Sequence, residues 1–253
     1  MTMFSLDGKV ALVTGASRGI GRAIAVAYAA AGADVALLAR DEQLLSEVAG
    51  EVEKQGRRAL VLPCDVTDVE SVRSSVGRLA TELGRLDVVV NNAGGTSFMA
   101  PFTDLRFSGW EKTMRLNVDS AVHVCQAAAP HLLAQRSGSI VNVASVAALT
   151  ATPTLAAYGA SKAALVSLTR TLAAEWAHAN VRVNALCPGW IATDLNKGIW
   201  ADETVAKQWV STVPMQRWGK VEEMAGPAVF LASDAASFVT GQVLVADGGL
   251  TIL

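Results

Sequence analysis

Seven short runs of nearly continuous apolar residues punctuate the chain: KVALVT (9–14), DVALLA (34–39), RALVLP (58–63), LDVVVN (86–91), GSIVNVA (138–144), VRVNALC (181–187) and QVLVAD (242–247). The stretches between them are longer and repeat small and apolar residues at helical spacing. Runs that are apolar on both faces belong to strands covered from both sides, and their alternation with helices predicts a parallel sheet. The first two runs and their connection read as the opening βαβ unit of a nucleotide-binding sheet.

The pattern predicts an α/β fold: one Rossmann-like domain over residues 1–253, a doubly wound parallel sheet of about seven strands with helices on both faces. A chain of 253 residues with 51% hydrophobic content can bury one large core, and no Pro- or Ser-rich linker or fixed-period repeat calls for a second. One segment departs from the alternation. Residues 189–219 lack a strand pattern, yet they hold Trp190, Trp200, Trp209 and Trp218, four of the six tryptophans, and are expected to leave the sheet and cover a site.

Charge narrows the partners. Charged residues make up 17% of the chain, the formal net charge is -2 and no Lys/Arg run occurs, so nucleic acid and acidic membranes are not expected partners. The most apolar stretch, residues 23–39, is broken by Gly32 and Asp34 and reads as helix, turn and strand, not as a membrane span. The first residues lack the regions of a signal peptide, and Cys64, Cys125 and Cys187 are odd in number with no CxxC pair. A cytoplasmic protein with no disulfide framework and no metal site is expected.

The first strand ends in TGASRGIGRAIA, which sets Gly15, Gly19 and Gly21 at the turn into an alanine-rich helix. Glycines there allow positive φ and close approach of a pyrophosphate, while the helix N-terminus offers free N–H groups and a positive dipole end. Beyond this loop the chain carries NNAG (91–94), Asn117 in RLNVDS, Ser145 in NVASVAAL, YGASK (158–162) and CPGWIATD (187–194). In order and interval these motifs resemble the short-chain dehydrogenase/reductase family along essentially the whole chain, with a pattern close to 3-oxoacyl thioester reductases and to sugar or polyol dehydrogenases.

That resemblance implies an NAD(P)(H)-dependent oxidoreductase, a carbonyl reductase or alcohol dehydrogenase, that interconverts a ketone and a secondary alcohol. Gly15, Ser17, Arg18, Gly19, Ile20 and Gly21 would hold the pyrophosphate side of the cofactor. Asp65 and Val66 would meet the adenine, Asn91, Ala93 and Gly94 the adenosine ribose, and Pro188, Gly189, Ile191 and Thr193 the nicotinamide. NAD-binding members place an acidic residue at the end of the second strand, where this chain has Ala39 followed by Arg40. Asp34 opens that strand and belongs at the wrong end of the sheet. Arg40 and Arg18 can clamp a 2′-phosphate, so NADP(H) is expected in preference to NAD(H).

Tyr158 and Lys162 are four residues apart, one helical turn, and so share a face. Reduction of a ketone needs a proton donor and the reverse needs a base, but a free tyrosine titrates near about 10. An ammonium at ~4 Å in an effective dielectric of about 20 contributes on the order of 4 kcal/mol, or roughly three pKa units at most. Tyr158 is therefore the expected general acid/base, with Lys162 lowering its pKa. The resemblance adds Lys162 as a ligand of the nicotinamide ribose, Ser145 as a hydrogen-bonding partner of the substrate oxygen, and Asn117 as support for a proton-relaying water.

The substrate wall is expected from residues 95–102, 146–157 and the segment after Gly189, with Phe98, Met99, Leu149, Leu155, Trp190 and Trp200 forming an apolar pocket beside Ser145 and Tyr158. Helices rich in small residues around 115–133 and 158–176 suit a subunit interface, and the resemblance implies a homotetramer. Two other readings stand beside this one: a sugar or polyol dehydrogenase, and a non-catalytic dinucleotide sensor, which would have no need of Tyr158 and Lys162 together.

Overall fold

A computed structural model describes residues 3–96 and 98–252; the expected wall segment 95–102 is thus described except at Ser97. The chain runs β1 (Val10–Thr14), α1 (Gly19–Ala30), β2 (Asp34–Ala39), α2 (Glu42–Glu53), β3 (Ala59–Pro63), α3 (Val69–Leu83) and β4 (Val88–Asn91). It continues through α4 (Phe107–Met114), α5 (Ser120–Gln135), β5 (Gly138–Val143), α6 (Ala156–Trp176), β6 (Val181–Pro188), α7 (Lys197–Trp200), α8 (Glu203–Val210), α9 (Ala225–Ala232) and β7 (Val243–Ala246). Every strand coincides with one of the seven apolar runs.

The strands form one parallel sheet in the order β3-β2-β1-β4-β5-β6-β7. Side chains alternate across it. Ala11, Val13, Val35 and Leu37 face α1, α2 and α9, which supply Ile24, Tyr28, Val48 and Leu231. Val10, Leu12, Ala36 and Leu38 face α3, α5 and α6, which supply Val76, Leu79, Val124, Leu132 and Ala173. Burial on both faces is why the runs show no polar alternation.

Local chemistry fixes the helix ends. Asp41 caps α2 by accepting from Leu44 N–H, and Asp68 caps α3 by accepting from Glu70 and Ser71 N–H. Gly84 closes α3 in the left-handed conformation, φ 81°. Among the described residues no helix is long and apolar enough to cross a membrane.

The order of connection reverses between β1 and β4. In such sheets the crevice beyond the carboxyl ends of the strands at this reversal is where ligands bind. The glycine loop, Arg40, Asp65, Asn92–Gly94, Ser145 and Gly189 all follow strand carboxyl ends, so the expected site residues lie along this one edge.

Candidate active site

The glycine loop is built by close approach. Gly15 (φ +63°) and Gly19 (φ +57°) are left-handed, and a Cβ on Gly15 would stand 2.8 Å from Asn92 Nδ2. A Cβ on Gly21 would clash with the Gly15 carbonyl oxygen. Helix α1 starts at Gly19, and no side chain caps it. A backbone cradle open to a helix N-terminus fits a pyrophosphate, so the residues present suit a dinucleotide. Gly21→Ala is expected to shift the loop, weaken cofactor binding at least about tenfold and cost ~1–3 kcal/mol of stability; cofactor titration and thermal melts check both.

Asn92 staples this loop, although its sequence position reads as a plain turn. Its side chain donates to the Thr14 and Gly15 carbonyls at 2.9 and 3.2 Å, and Thr14 Oγ1 accepts from the N–H groups of Asn92 and Ala93. Asn91 goes elsewhere. Its side chain, expected at the ribose, is buried on the sheet face toward α5, donating to Asn142 Oδ1 at 2.8 Å and to Cys125 Sγ at 3.3 Å. Only its backbone is left for the ribose.

At the end of β2, Arg40 is exposed, and neither it nor Arg18 makes an ion pair among the described residues. Asp41, the neighbouring carboxylate, accepts from Leu44 N–H as the α2 cap. Asp34 is at the opposite end of the strand, held by Arg57 at 3.1 Å and Arg58 at 2.7 Å. Asp65 accepts from Thr67 N–H and Oγ1, which hold its carboxyl below the ordinary range, and Arg40 acts in the same direction. Val66 is buried, and its carbonyl meets His123 Nδ1 at 3.3 Å.

The four expected reaction residues converge. Asn117 occupies a π-type turn, residues 115–119, between α4 and α5; such turns recur at functional sites. Its Oδ1 accepts from Gly95 N–H at 2.7 Å, and its Nδ2 donates to Gly95 O at 3.1 Å and to Ser161 Oγ at 2.9 Å. A Cβ on Gly94 would lie 2.7 Å from Asn117 Oδ1 and 3.2 Å from Lys162 Nζ, so Asn117 and Lys162 border the same space over that glycine. Lys162 is buried, donates to Val143 O at 2.8 Å and lies 5.7 Å from the centre of the Tyr158 ring.

Ser145 follows β5. Its Oγ accepts from Ala147 N–H at 3.1 Å, which leaves the hydroxyl proton to donate. The Tyr158 phenol does not follow the expected direction: burial raises its pKa above the ordinary value, and the Ser145 hydroxyl pulls it back only in part. Lys162 is itself desolvated, which lowers its pKa from 10.5 to about 8. Desolvation disfavours both the phenolate and the ammonium, and so opposes the attraction expected of a fully charged pair at ~4 Å. Cys187, which the sequence did not single out, lies behind them; its thiol takes the Ser145 backbone N–H and is pushed up by burial.

A lowering of this size on a buried lysine amounts to ~3 kcal/mol, offset by about 1 kcal/mol for its bond to Val143 O. Lys162→Met is therefore expected to raise the melting temperature of cofactor-free protein near neutral pH, on the order of 5 °C. Between about 8 and 10.5 the unfolded lysine holds a proton that the folded one has shed, so the wild type gains stability as pH rises through this window. The advantage of the variant should shrink there, a trend that melts across pH would reveal.

The segment after β6 lies over the crevice. Gly189 is required by contact, since a Cβ there would be 2.7 Å from Asp247 Cα. Thr193 packs near Gly19, and Leu195 lies over Gly95, so the segment reaches both the glycine loop and the turn after β4. Asn196 ties it down, accepting from Thr193 N–H and donating to Ile191 O, and Trp200 Nε1 donates to Thr193 O at 2.8 Å.

The expected wall residues separate. Leu149 is exposed beside the site, Met99 is exposed, and Leu155 directly precedes α6. Phe98 packs on Gly109 of α4, where a Cβ would stand 3.0 Å from its ring. Trp190 packs among other tryptophans. It stacks edge-on against Trp209 at 4.6 Å and lies 5.9 Å from Trp218, lining a cavity of about 170 Å³ with Met215, Met224 and Gly248, whose lining includes none of the four reaction residues. Its indole finds its apolar partners in Trp209 of α8 and Trp218.

Comparison with known proteins agrees with this architecture. The family model described as "Enoyl-(Acyl carrier protein) reductase" matches residues 15–251. A gluconate 5-dehydrogenase of Gluconobacter oxydans (strain 621H) is 40% identical over 250 residues, covering 99% of this chain and 97% of that protein. A 3-oxoacyl acyl-carrier-protein reductase of Thermotoga maritima is 38% identical over 247 residues, covering 98% of this chain and 99% of that protein. The crystal structure of a gluconate 5-dehydrogenase from Burkholderia cenocepacia J2315 in complex with NADP and tartrate superposes with a TM-score of 0.94 at 38% identity, covering 99% of this chain and 98% of that one. By motifs, fold and relatives together, the chain belongs to the short-chain dehydrogenase/reductase family.

Proposed function

We propose that the chain is an NADP(H)-dependent oxidoreductase that interconverts a ketone and a secondary alcohol. The observation that carries this reading is the grouping of Ser145, Tyr158, Lys162 and Asn117 beside a glycine cradle, at the strand edge where the crevice opens. The cofactor, when bound, supplies the hydride that the carbonyl carbon takes up. Ser145 Oγ donates to the substrate oxygen and holds it against Tyr158 Oη, which delivers the proton that completes the alcohol and removes it in reverse. Lys162 carries the positive charge that supports the phenolate and holds the nicotinamide ribose. Asn117 supports the proton path on its far side.

Arg40 and Arg18 hold the 2′-phosphate, with NAD(H) the weaker alternative. Asp65 and Val66 face the adenine, Ala93, Gly94 and the Asn91 backbone the ribose, and Pro188, Gly189, Ile191 and Thr193 the nicotinamide. Residues 189–219 act as the cover of the site, in a cytoplasmic homotetramer. A non-catalytic sensor is the weaker reading, because a buried lysine beside a tyrosine carries a cost that cofactor binding alone does not require.

The substrate follows from the wall. Leu149, Met99 and Leu195 are exposed, residues 95–102 and 146–157 carry no charged group, and in 189–219 the charges nearest the strand end are Asp194 and Lys197, with Asp202, Glu203, Lys207 and Arg217 farther along the segment. An apolar ketone suits this lining. A sugar-acid or polyol substrate is the second reading, supported by the gluconate 5-dehydrogenases among the relatives. The test is NADPH oxidation against apolar ketones, 3-oxoacyl thioesters, keto sugars and keto aldonates. The expected kcat/KM is higher for the apolar ketones by about tenfold or more, as ~1.4 kcal/mol of apolar contact provides; a preference for keto aldonates would replace this reading with the second.

A further inference from the structure

Asn117 is held on one side by the Gly95 backbone and on the other by a residue with no role so far. Ser161 is fully buried in α6, and its Oγ donates to the Tyr158 carbonyl at 2.7 Å while accepting from Asn117 Nδ2 at 2.9 Å. Taken alone, the bond to Tyr158 is the ordinary back-bond of a serine inside a helix. Combined with the second bond it has a direction. A hydroxyl has one proton, and here the Tyr158 carbonyl takes it, so toward Asn117 the oxygen can only accept.

We infer that Ser161 is a positioning residue of the reaction: together with the Gly95 backbone it holds the orientation of the Asn117 carboxamide, and it alone ties that group to the helical turn that carries Tyr158 and Lys162. The amino group of Asn117 faces Ser161 Oγ and Gly95 O, while Oδ1 accepts from Gly95 N–H and borders, with Lys162 Nζ, the space over Gly94. An acceptor, not a donor, then shares that space with the lysine. The same bond joins the π-type turn of residues 115–119 to α6, adding a polar tie to two elements that pack against each other.

This rests on the proposed roles of Asn117 and Tyr158, and the test separates the two ideas. With the best ketone of the panel, Ser161→Ala, Asn117→Ala, the double variant and Tyr158→Phe are compared for kcat and for the KM of NADPH, and the Asn117 side-chain amide is followed by NMR. Ser161→Ala is expected to lower kcat about tenfold, to leave the KM for NADPH within about twofold and to shift the Asn117 amide signals; added to Asn117→Ala it should lower kcat no further. Ser161→Thr, which keeps the hydroxyl, should recover most of the loss. If Ser161→Ala does not fold, Ser161→Cys, nearly the same size but a weak acceptor, replaces it with the same expectation.

Wild-type kcat in the serine variant beside a disabled Asn117→Ala, or losses that add in full in the double variant, would overturn the role of Ser161. If Asn117→Ala and Tyr158→Phe both turned over normally, the proposed reaction roles would fall instead.

Discussion

Tyr158→Phe is expected to lower kcat by about 10³-fold while leaving the affinity for NADPH within a small factor, since loss of a positioned acid/base removes roughly 10²–10⁴ of rate. The substitution deletes one oxygen and keeps the ring, so the packing of α6 and the burial of Lys162 persist. Ser145 retains its partner Ala147 N–H and can still hold the substrate oxygen, but no group remains to give or take the proton. Stopped-flow or steady-state oxidation of NADPH, paired with a binding titration, separates the two effects. Residual turnover above about a tenth of wild type would mean that a group other than Tyr158 moves the proton.

Arg40→Asp is expected to lower the ratio of kcat/KM for NADPH over NADH by about 10²-fold or more. A charge-assisted hydrogen bond to a phosphate is worth ~1.5–3 kcal/mol, which alone accounts for roughly a tenfold to hundredfold change. The new carboxylate adds repulsion toward the 2′-phosphate and a partner for the ribose hydroxyls of NADH. Arg40 is well suited to this exchange because it is exposed and engaged in no ion pair among the described residues, so its removal should leave the fold intact. An unchanged ratio would assign the phosphate to Arg18 or to another group.

The strands were legible because each is a short apolar run bounded by turns, and the site edge was legible because every motif follows a strand. The fate of Asp34 could likewise be read from its place at the start of β2. Side-chain direction was harder. Val88 and Val90 face α1 while Val89 faces α5, so Asn91 shares the parity of Val89 and enters the core; a run that is apolar on both faces carries no mark of that parity.

Asn92 illustrates the converse, a turn-forming residue whose contacts with Thr14 and Gly15 depend on β1 and β4 being neighbours, a pairing 77 to 78 residues apart in sequence. The directions of Phe98 and Trp190 depend on Gly109 and on the tryptophans of the covering segment, none of which is a sequence neighbour. For the Tyr158 phenol the pair interaction was visible in the sequence but the burial opposing it was not, and burial is the larger influence.

The three clustered indoles have an optical consequence. Trp190 and Trp209, edge to face at 4.6 Å with Trp218 5.9 Å from Trp190, are close enough for their excited states to couple, which gives a near-ultraviolet circular dichroism band that reports whether the covering segment is docked. Trp190 also directly follows Gly189, one of the residues assigned to the nicotinamide. Indole emission overlaps the absorption of a reduced nicotinamide, so a dinucleotide held there quenches the protein's own fluorescence, and cofactor choice becomes measurable by light before any substrate is known.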